Sequence, residues 1–235
     1  MSKTLKHSIA FVLISCSVLL ASCGGGGGGS SAPATTYPFQ AAWISSLTTA
    51  STRNFTVSGT DNTYTATGSG TDAMAAITAG TFRGTSCQQQ VQTVTGSVTI
   101  NSTSTSLNAT SNSYYDSNYN FLGQIETGEY LIVDNGSWNL PTTVTVGSSG
   151  TIYTGKTYHD NTFATQIGTE TDTYSISNDT VANSALLTLV VTKRDLTGAV
   201  TQTSTELIHI YTNGTASRIT SNTVQGALNL TVTYQ

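Results

Sequence analysis

The chain has 235 residues and few charges, 8 Lys and Arg against 12 Asp and Glu, for a formal net charge of −4. That length suits one substantial domain or two small ones. Six of the cations and all of the acids follow residue 23, and the cations are scattered. The chain therefore lacks the basic footprint of a nucleic-acid binder and the polybasic run that anionic lipid attracts, and nucleic acid is excluded as a partner.

At the start of the chain, Lys3, Lys6 and His7 precede a largely apolar run over residues 9–21. A membrane-spanning helix needs about 20 such residues, so this run is too short to cross and has the layout of a secretory signal peptide. The sequence Leu20-Ala21-Ser22-Cys23 resembles the lipobox of bacterial lipoproteins. That resemblance implies cleavage before Cys23 and acylation of its thiol, and Gly24 after it implies sorting to the outer membrane. Residues 1–22 are thus expected to be signal peptide and 37–235 a folded β domain. Between them, residues 23–36 hold the lipidated Cys and a Gly/Ser tether with an r.m.s. reach of roughly 20 Å.

Cysteine use is simple. With Cys16 in the signal and Cys23 lipidated, Cys87 is left without a partner, so no disulfide is expected in the mature chain. No His lies near it in sequence, and the expectation is a buried, inert thiol.

One helix is predicted, near residues 38–49. In "TYPFQAAWISSLTTA" the residues Phe39, Ala42, Trp43 and Leu47 recur at helical spacing, with Thr36 as a cap and Pro38 in the first turn. Everything after it alternates as strands do. Threonine is the commonest residue, and Thr and Tyr favour strands while Gly, Asn and Asp favour the turns between them. "FTVSGT" turns at Asp61-Asn62 into "TYTATGSG". "VQTVTGSVTIN" places Val91, Thr93 and Thr95 on one face and Gln92, Val94, Gly96, Val98 and Ile100 on the other. Further turns are read at Asn178-Asp179, at residues 195–198 and at Asn213-Gly214, the strongest hairpin signal in the chain. The punctuation at 139–150 could divide two units, but no internal repeat supports that. The expectation is an all-β single antiparallel domain of about 11–12 strands, as a curved sheet, flattened barrel or sandwich, with one short N-terminal helix.

Three groups of residues invite a chemical reading. Asp116, Asn118 and Asn120 have the spacing that opens a calcium loop. Phe121 stands where such a loop turns on Gly, and residue 127 is Thr where a bidentate Glu is needed, so a turn made by Asp and Asn side chains is expected, with Tyr114, Tyr115 and Tyr119 covering a sheet edge. His159 and His209 have no third ligand fixed by sequence. Asp116, Glu126 and Glu129 are the carboxylates that a glycan hydrolase would use. The sequence has no Gly-x-Ser-x-Gly, no phosphate-binding Gly loop and no His-x-x-x-His, so neither cofactor nor metal is expected.

The segments "SYYDSNYNFLG", "LPTTVTVGSSG" and "YSISNDTVANSALLTLVV" resemble uncharacterised proteobacterial lipoproteins with the same signal and Gly tether, over residues 114–210. The resemblance implies no activity. The expected function is therefore a membrane-anchored, non-enzymatic binding or structural β module of the cell envelope, with hydrolysis of an envelope glycan as the alternative. Its partners would be the membrane, through Cys23, and a protein, glycan or apolar ligand. Both faces of "ALLTLVVTKR" carry apolar residues, which places the expected ligand surface at Val190, Ile208, Ile210 and Tyr211.

Overall fold

The computed structural model describes residues 35–235 except 62 and 127. The signal segment, Cys23 and nearly all of the tether lie outside the described residues. Helix α1 spans Phe39–Thr48. Thirteen strands follow: β1 (Ser51–Thr60), β2 (Thr65–Met74), β3 (Thr78–Phe82), β4 (Thr85–Ile100), β5 (Thr103–Tyr115), β6 (Phe121–Glu126), β7 (Glu129–Val133), β8 (Ser149–Tyr158), β9 (Gln166–Asn178), β10 (Ser184–Asp195), β11 (Val200–Tyr211), β12 (Ala216–Gln225) and β13 (Leu228–Tyr234). Each pairs antiparallel with its neighbours. β1 also pairs with β13 and β2 with β4, so the sheet closes on itself. β2 and β3 run end to end along β4 and make one stave, which gives a closed barrel of twelve.

Strand alternation sets what is inside. On β11 the buried set is Gln202, Ser204, Glu206, Ile208 and Ile210, while Thr203, Thr205, Leu207, His209 and Tyr211 face out. On β9 the outward row is Thr169, Thr171, Thr173, Ser175 and Ser177. A hydroxyl-bearing exterior explains the threonine content: β-branched Thr suits the pleat and still hydrogen-bonds water. No helix among the described residues is long and apolar enough to cross a membrane.

Side chains of the described residues pack the lumen in two apolar clusters. One apolar cluster gathers Phe39, Trp43 and Leu47 of α1 with Tyr115, Leu187 and Ile208, at the end where the helix sits. A second gathers Phe55, Val98, Leu107, Leu230 and Val232 toward the β1–β2, β4–β5 and β12–β13 hairpins. Helix α1 is a plug. Tyr37, just before it, pairs with Val144 of the β7–β8 loop, the Leu47 carbonyl accepts from Ile77 N–H, and Gln90 reaches the Ser46 carbonyl at 3.1 Å. Pro38 stands at the N-cap, and no side chain caps the helix, Thr36 included. The first turn is held by tertiary contacts instead.

The turn chemistry is as expected at most hairpins, with one refinement. At Asn213-Gly214 only Gly214 takes a positive φ (82°), and Tyr211 and Thr215 close the loop through a 2.9 Å bond. This is a three-residue connection, in which a type I turn hands over to a left-handed Gly. The tyrosines differ more. A closed barrel leaves no sheet edge at β5, so Tyr115 lies fully inside, while Tyr114 is buried against Phe82, on which it stacks. Cys87 is half-buried on β4, not in the core. Burial still pushes its thiol pKa up, the reverse of an activated nucleophile.

Closure depends on the β2–β4 seam, where Gly70 faces Gly96. A Cβ on Gly70 would lie 2.1 Å from the Thr95 carbonyl oxygen and 2.7 Å from the Phe55 ring. Gly70→Val is therefore expected to lower unfolding free energy by about 2 kcal/mol, the usual scale of overpacking. Thr56→Ser, on the outward face of β1, should change it by less than about 0.5 kcal/mol. Urea unfolding of the two variants checks both.

Candidate functional site

Two places collect functional side chains: the polar band of the lumen, and a groove at the mouth plugged by α1. In the lumen two cations are each held by two acids. Arg218 of β12 is fully buried, 3.3 Å from Asp72 and 3.2 Å from Glu206, and it donates to the Tyr234 hydroxyl at 3.1 Å. Gln92 completes this half with a 2.7 Å bond to Asp72. Lys193 of β10 lies 2.5 Å from Glu129 and 3.5 Å from Glu170, whose other oxygen accepts from Tyr153. Asp172 joins the halves. Burial first, then Glu170 and Glu206, hold its carboxyl well above its usual range.

Glu126 is the outlying acid of this band. Burial pushes its pKa up to about 8; Lys193 opposes the shift, and Glu129 and Glu170 add to it. Gln124 donates to Oε1 at 2.5 Å, while Oε2 is buried with no hydrogen-bond partner among the described residues. Glu126, Glu129, Glu170 and Lys193 border a void of about 10 Å³. That holds one water at most. The void that Glu126 and Glu129 border thus has no room for a sugar ring.

The groove lies outside the lumen. It measures about 450 Å³ and is built by three segments distant in sequence. The β3–β4 tip supplies Phe82 and Arg83, the β5–β6 turn supplies Asp116 and Asn120, and the β7–β8 loop supplies Asp134, Asn135 and Trp138. Leu122, Ile132 and Val133 supply the apolar floor between them, Val133 from the strand end where it packs against the core under the plug.

Each wall is fixed locally. Arg83 (φ 52°) and Gly84 (φ 78°) both take the left-handed conformation that a tight two-residue hairpin requires, and the exposed Arg83 at the tip lays its guanidinium over the Phe163 ring, 5.3 Å from the centroid. At the β5–β6 turn, Asp116 Oδ1 accepts the N–H groups of Asn118 (2.7 Å) and Asn120 (2.9 Å), and Oδ2 accepts the Asn120 amide (2.8 Å). This is the backbone-bonding role expected of Asp116. At the β7–β8 loop, Ser137 N–H bonds the Asp134 carbonyl across Gly136 (φ 75°), and Ser137 Oγ donates to the Thr154 carbonyl at 2.9 Å.

The plug supports two of these walls. Trp43 Nε1 donates to the Tyr119 carbonyl at 3.2 Å, and its ring lies 5.0 Å from that of Trp138. Trp138 also contacts Phe121 and Tyr153, at 6.2 and 6.3 Å between centroids. Helix packing in the mouth therefore sets the positions of the groove's indole and turn.

The expected ligand surface is not one surface. Ile208 and Ile210 are completely buried beneath α1, whereas Val190 and Tyr211 are half-exposed on the outside of the wall. The reason is alternation: position 211 cannot share a face with 208 or 210 on a regular strand. The inner face of β10 is covered by the plug and lumen, while its outer residues Leu186 and Val190 remain half-exposed. The two histidines are not brought together. His159 is exposed in the β8–β9 loop, and His209 near the mouth contacts Asp179 at 2.5 Å. Among the described residues no group of three His, Cys, Asp or Glu converges to hold a metal. Sequence reasoning missed Arg83, Asp134 and Trp138; Arg83-Gly84 between two strands and Asp134-Asn135-Gly136 were the available signals, both of turns.

The Glu126 site gives a pH prediction. Its folded pKa lies above the unfolded value near 4.5, so its contribution is complete below pH 4.5 and is lost as pH rises through about 8. Glu170 and Asp172 are raised and act in the same direction. Urea midpoints of the wild type should fall between pH 5 and 8.5. Glu126→Gln, which keeps a neutral group with a donor at that position, should reduce the fall by about 1–3 kcal/mol. An equal fall in both proteins would mean that Glu126 does not carry it.

No protein-family model, curated protein or solved structure matches the chain.

Proposed function

We propose that the chain is a lipid-anchored binding module of the cell envelope, held at the outer membrane through Cys23, that retains a ligand in the groove at the plugged mouth without covalent chemistry. One observation carries this reading. The groove has an apolar floor and a polar rim set by its own turns, the usual composition of a ligand site. A rim fixed before binding has little left to order, which favours affinity. The alternative, glycan hydrolysis by Asp116 with Glu126 or Glu129, requires two carboxylates flanking one bond. Asp116 is on the groove, but its oxygens are occupied by its own turn, and the two glutamates border the one-water void around Lys193.

The anchor and the groove are tested separately. Cys23→Ser should abolish incorporation of labelled palmitate into the full-length chain, and continued labelling would remove the lipoprotein reading. For the groove, full-length protein purified from membranes is compared with Arg83→Ala and Asn135→Ala, two exposed rim positions whose truncation leaves the core alone. Each variant should retain at least 10-fold less of any small molecule seen by native mass spectrometry with the wild type. Equal retention would place the ligand elsewhere.

A further inference from the structure

We infer that the groove takes a neutral glycan, a chain of hydroxyl-bearing rings laid across the floor between the β3–β4 tip, the β5–β6 turn and the β7–β8 loop; this rests on the groove being the binding site. The chemistry of the lining excludes the other ligand classes one at a time.

An acyl chain would suit Leu122, Ile132 and Val133, but it would also cover Asn120, Asn135 and Arg83. Those groups would give up water and receive no hydrogen bond in return, and each buried unpaired polar group costs about 1–3 kcal/mol. A polyanion finds no net attraction: on the rim Asp116 and Asp134 offset Arg83 and Lys156, whose ammonium lies 4.0 Å from Asp134. An extended peptide is commonly captured by adding a strand to an unpaired edge. β6 and β7, which carry the floor, are paired on both sides, and β3, paired only with β4, reaches the groove through the single residue Phe82.

A neutral pyranose chain meets each requirement. Its hydroxyls both donate and accept, so they can serve the carboxamides of Asn120 and Asn135, the Asp134 carboxylate and the Arg83 guanidinium. Its C–H faces can rest on the aliphatic floor and beside the indole of Trp138, which loses water at little polar cost. The site is an open groove between three loops on the outside of the wall.

Position on the molecule agrees. The chain enters the fold at the same mouth, where Tyr37 pairs with Val144 on the loop that carries Trp138. With Cys23 in the bilayer and a tether reach of roughly 20 Å, the groove stays close to the membrane surface. Saccharides carried on lipid and strands of a cell-wall polymer are both available there, and they share this chemistry.

The test is isothermal titration calorimetry on protein lacking the signal and Cys23, with four probes: chitohexaose, maltohexaose, hexagalacturonate and myristate. The expected result is binding of a neutral hexasaccharide at submillimolar concentration, weakened at least 10-fold in Asn135→Ala and Arg83→Ala. Hexagalacturonate and myristate should be at least 10-fold weaker on the wild type. Preference for chitohexaose favours N-acetylated wall strands, and preference for maltohexaose favours unsubstituted lipid-linked saccharides; either supports the inference. Binding of myristate or hexagalacturonate that is lost in the two variants, with no neutral binding, overturns the glycan and leaves the groove as the site. Neutral binding unchanged in both variants also overturns it. No binding of any probe overturns the glycan, and retention of a membrane-derived ligand by the variants would then remove the groove itself.

Discussion

A closed sheet of twelve strands encloses more volume than its own wall side chains fill with ease, since barrel diameter grows with strand number and about eight strands already give a lumen that side chains just occupy. Most other features of this molecule answer that constraint. Helix α1 fills the mouth with Phe39, Trp43 and Leu47. Large aromatics such as Tyr115 and Phe55 occupy the two apolar clusters. The band between them is spanned by the side chains with the longest reach, Arg218, Lys193 and several glutamines and glutamates.

Filling a lumen with long polar side chains has a cost, because each buried charge loses its water. The arrangement limits that cost by enclosing Arg218 and Lys193 each between two acids and by adding neutral donors, Gln92 to Asp72 and Tyr153 to Glu170. Acids remain in excess, and the excess appears as raised carboxyl pKa values at Glu126, Glu170 and Asp172. The perturbed groups are therefore a consequence of how the barrel is filled. Perturbation alone marks functional sites only statistically, since structural ionic networks perturb pKa as well.

The same constraint bears on where a groove can form. The groove forms where loops rise above the wall, at the mouth where the β3–β4 tip stands beside the β5–β6 turn and the β7–β8 loop. The plug then has a second role. Through Trp43 it supports the Tyr119 carbonyl and the Trp138 ring, so the helix that closes the lumen also sets the groove's walls. Phe163, in the left-handed region (φ 57°) with its ring against Phe82, Tyr130 and Tyr158 and under Arg83, braces the outer side of the tip.

Local features were legible in the sequence by itself. Period-two alternation gave the strands and the faces of β4 and β11, because side-chain direction on a strand depends only on position. Asx chemistry gave the Asp116 turn, and helical spacing gave α1 within a residue of its observed ends. Only the tertiary structure decided which strands pair to close the barrel, and so which face is lumen. Alternation is symmetric between inside and outside, so Ile208 and Ile210 read equally well as an exposed surface and as the floor beneath the plug. The ion pairs join residues 64 and 146 positions apart, Lys193 with Glu129 and Arg218 with Asp72. The groove joins three segments that no local pattern connects. Pairing at such separations is set by strand register summed around the whole barrel, a property of the closed sheet and of no single stretch of chain.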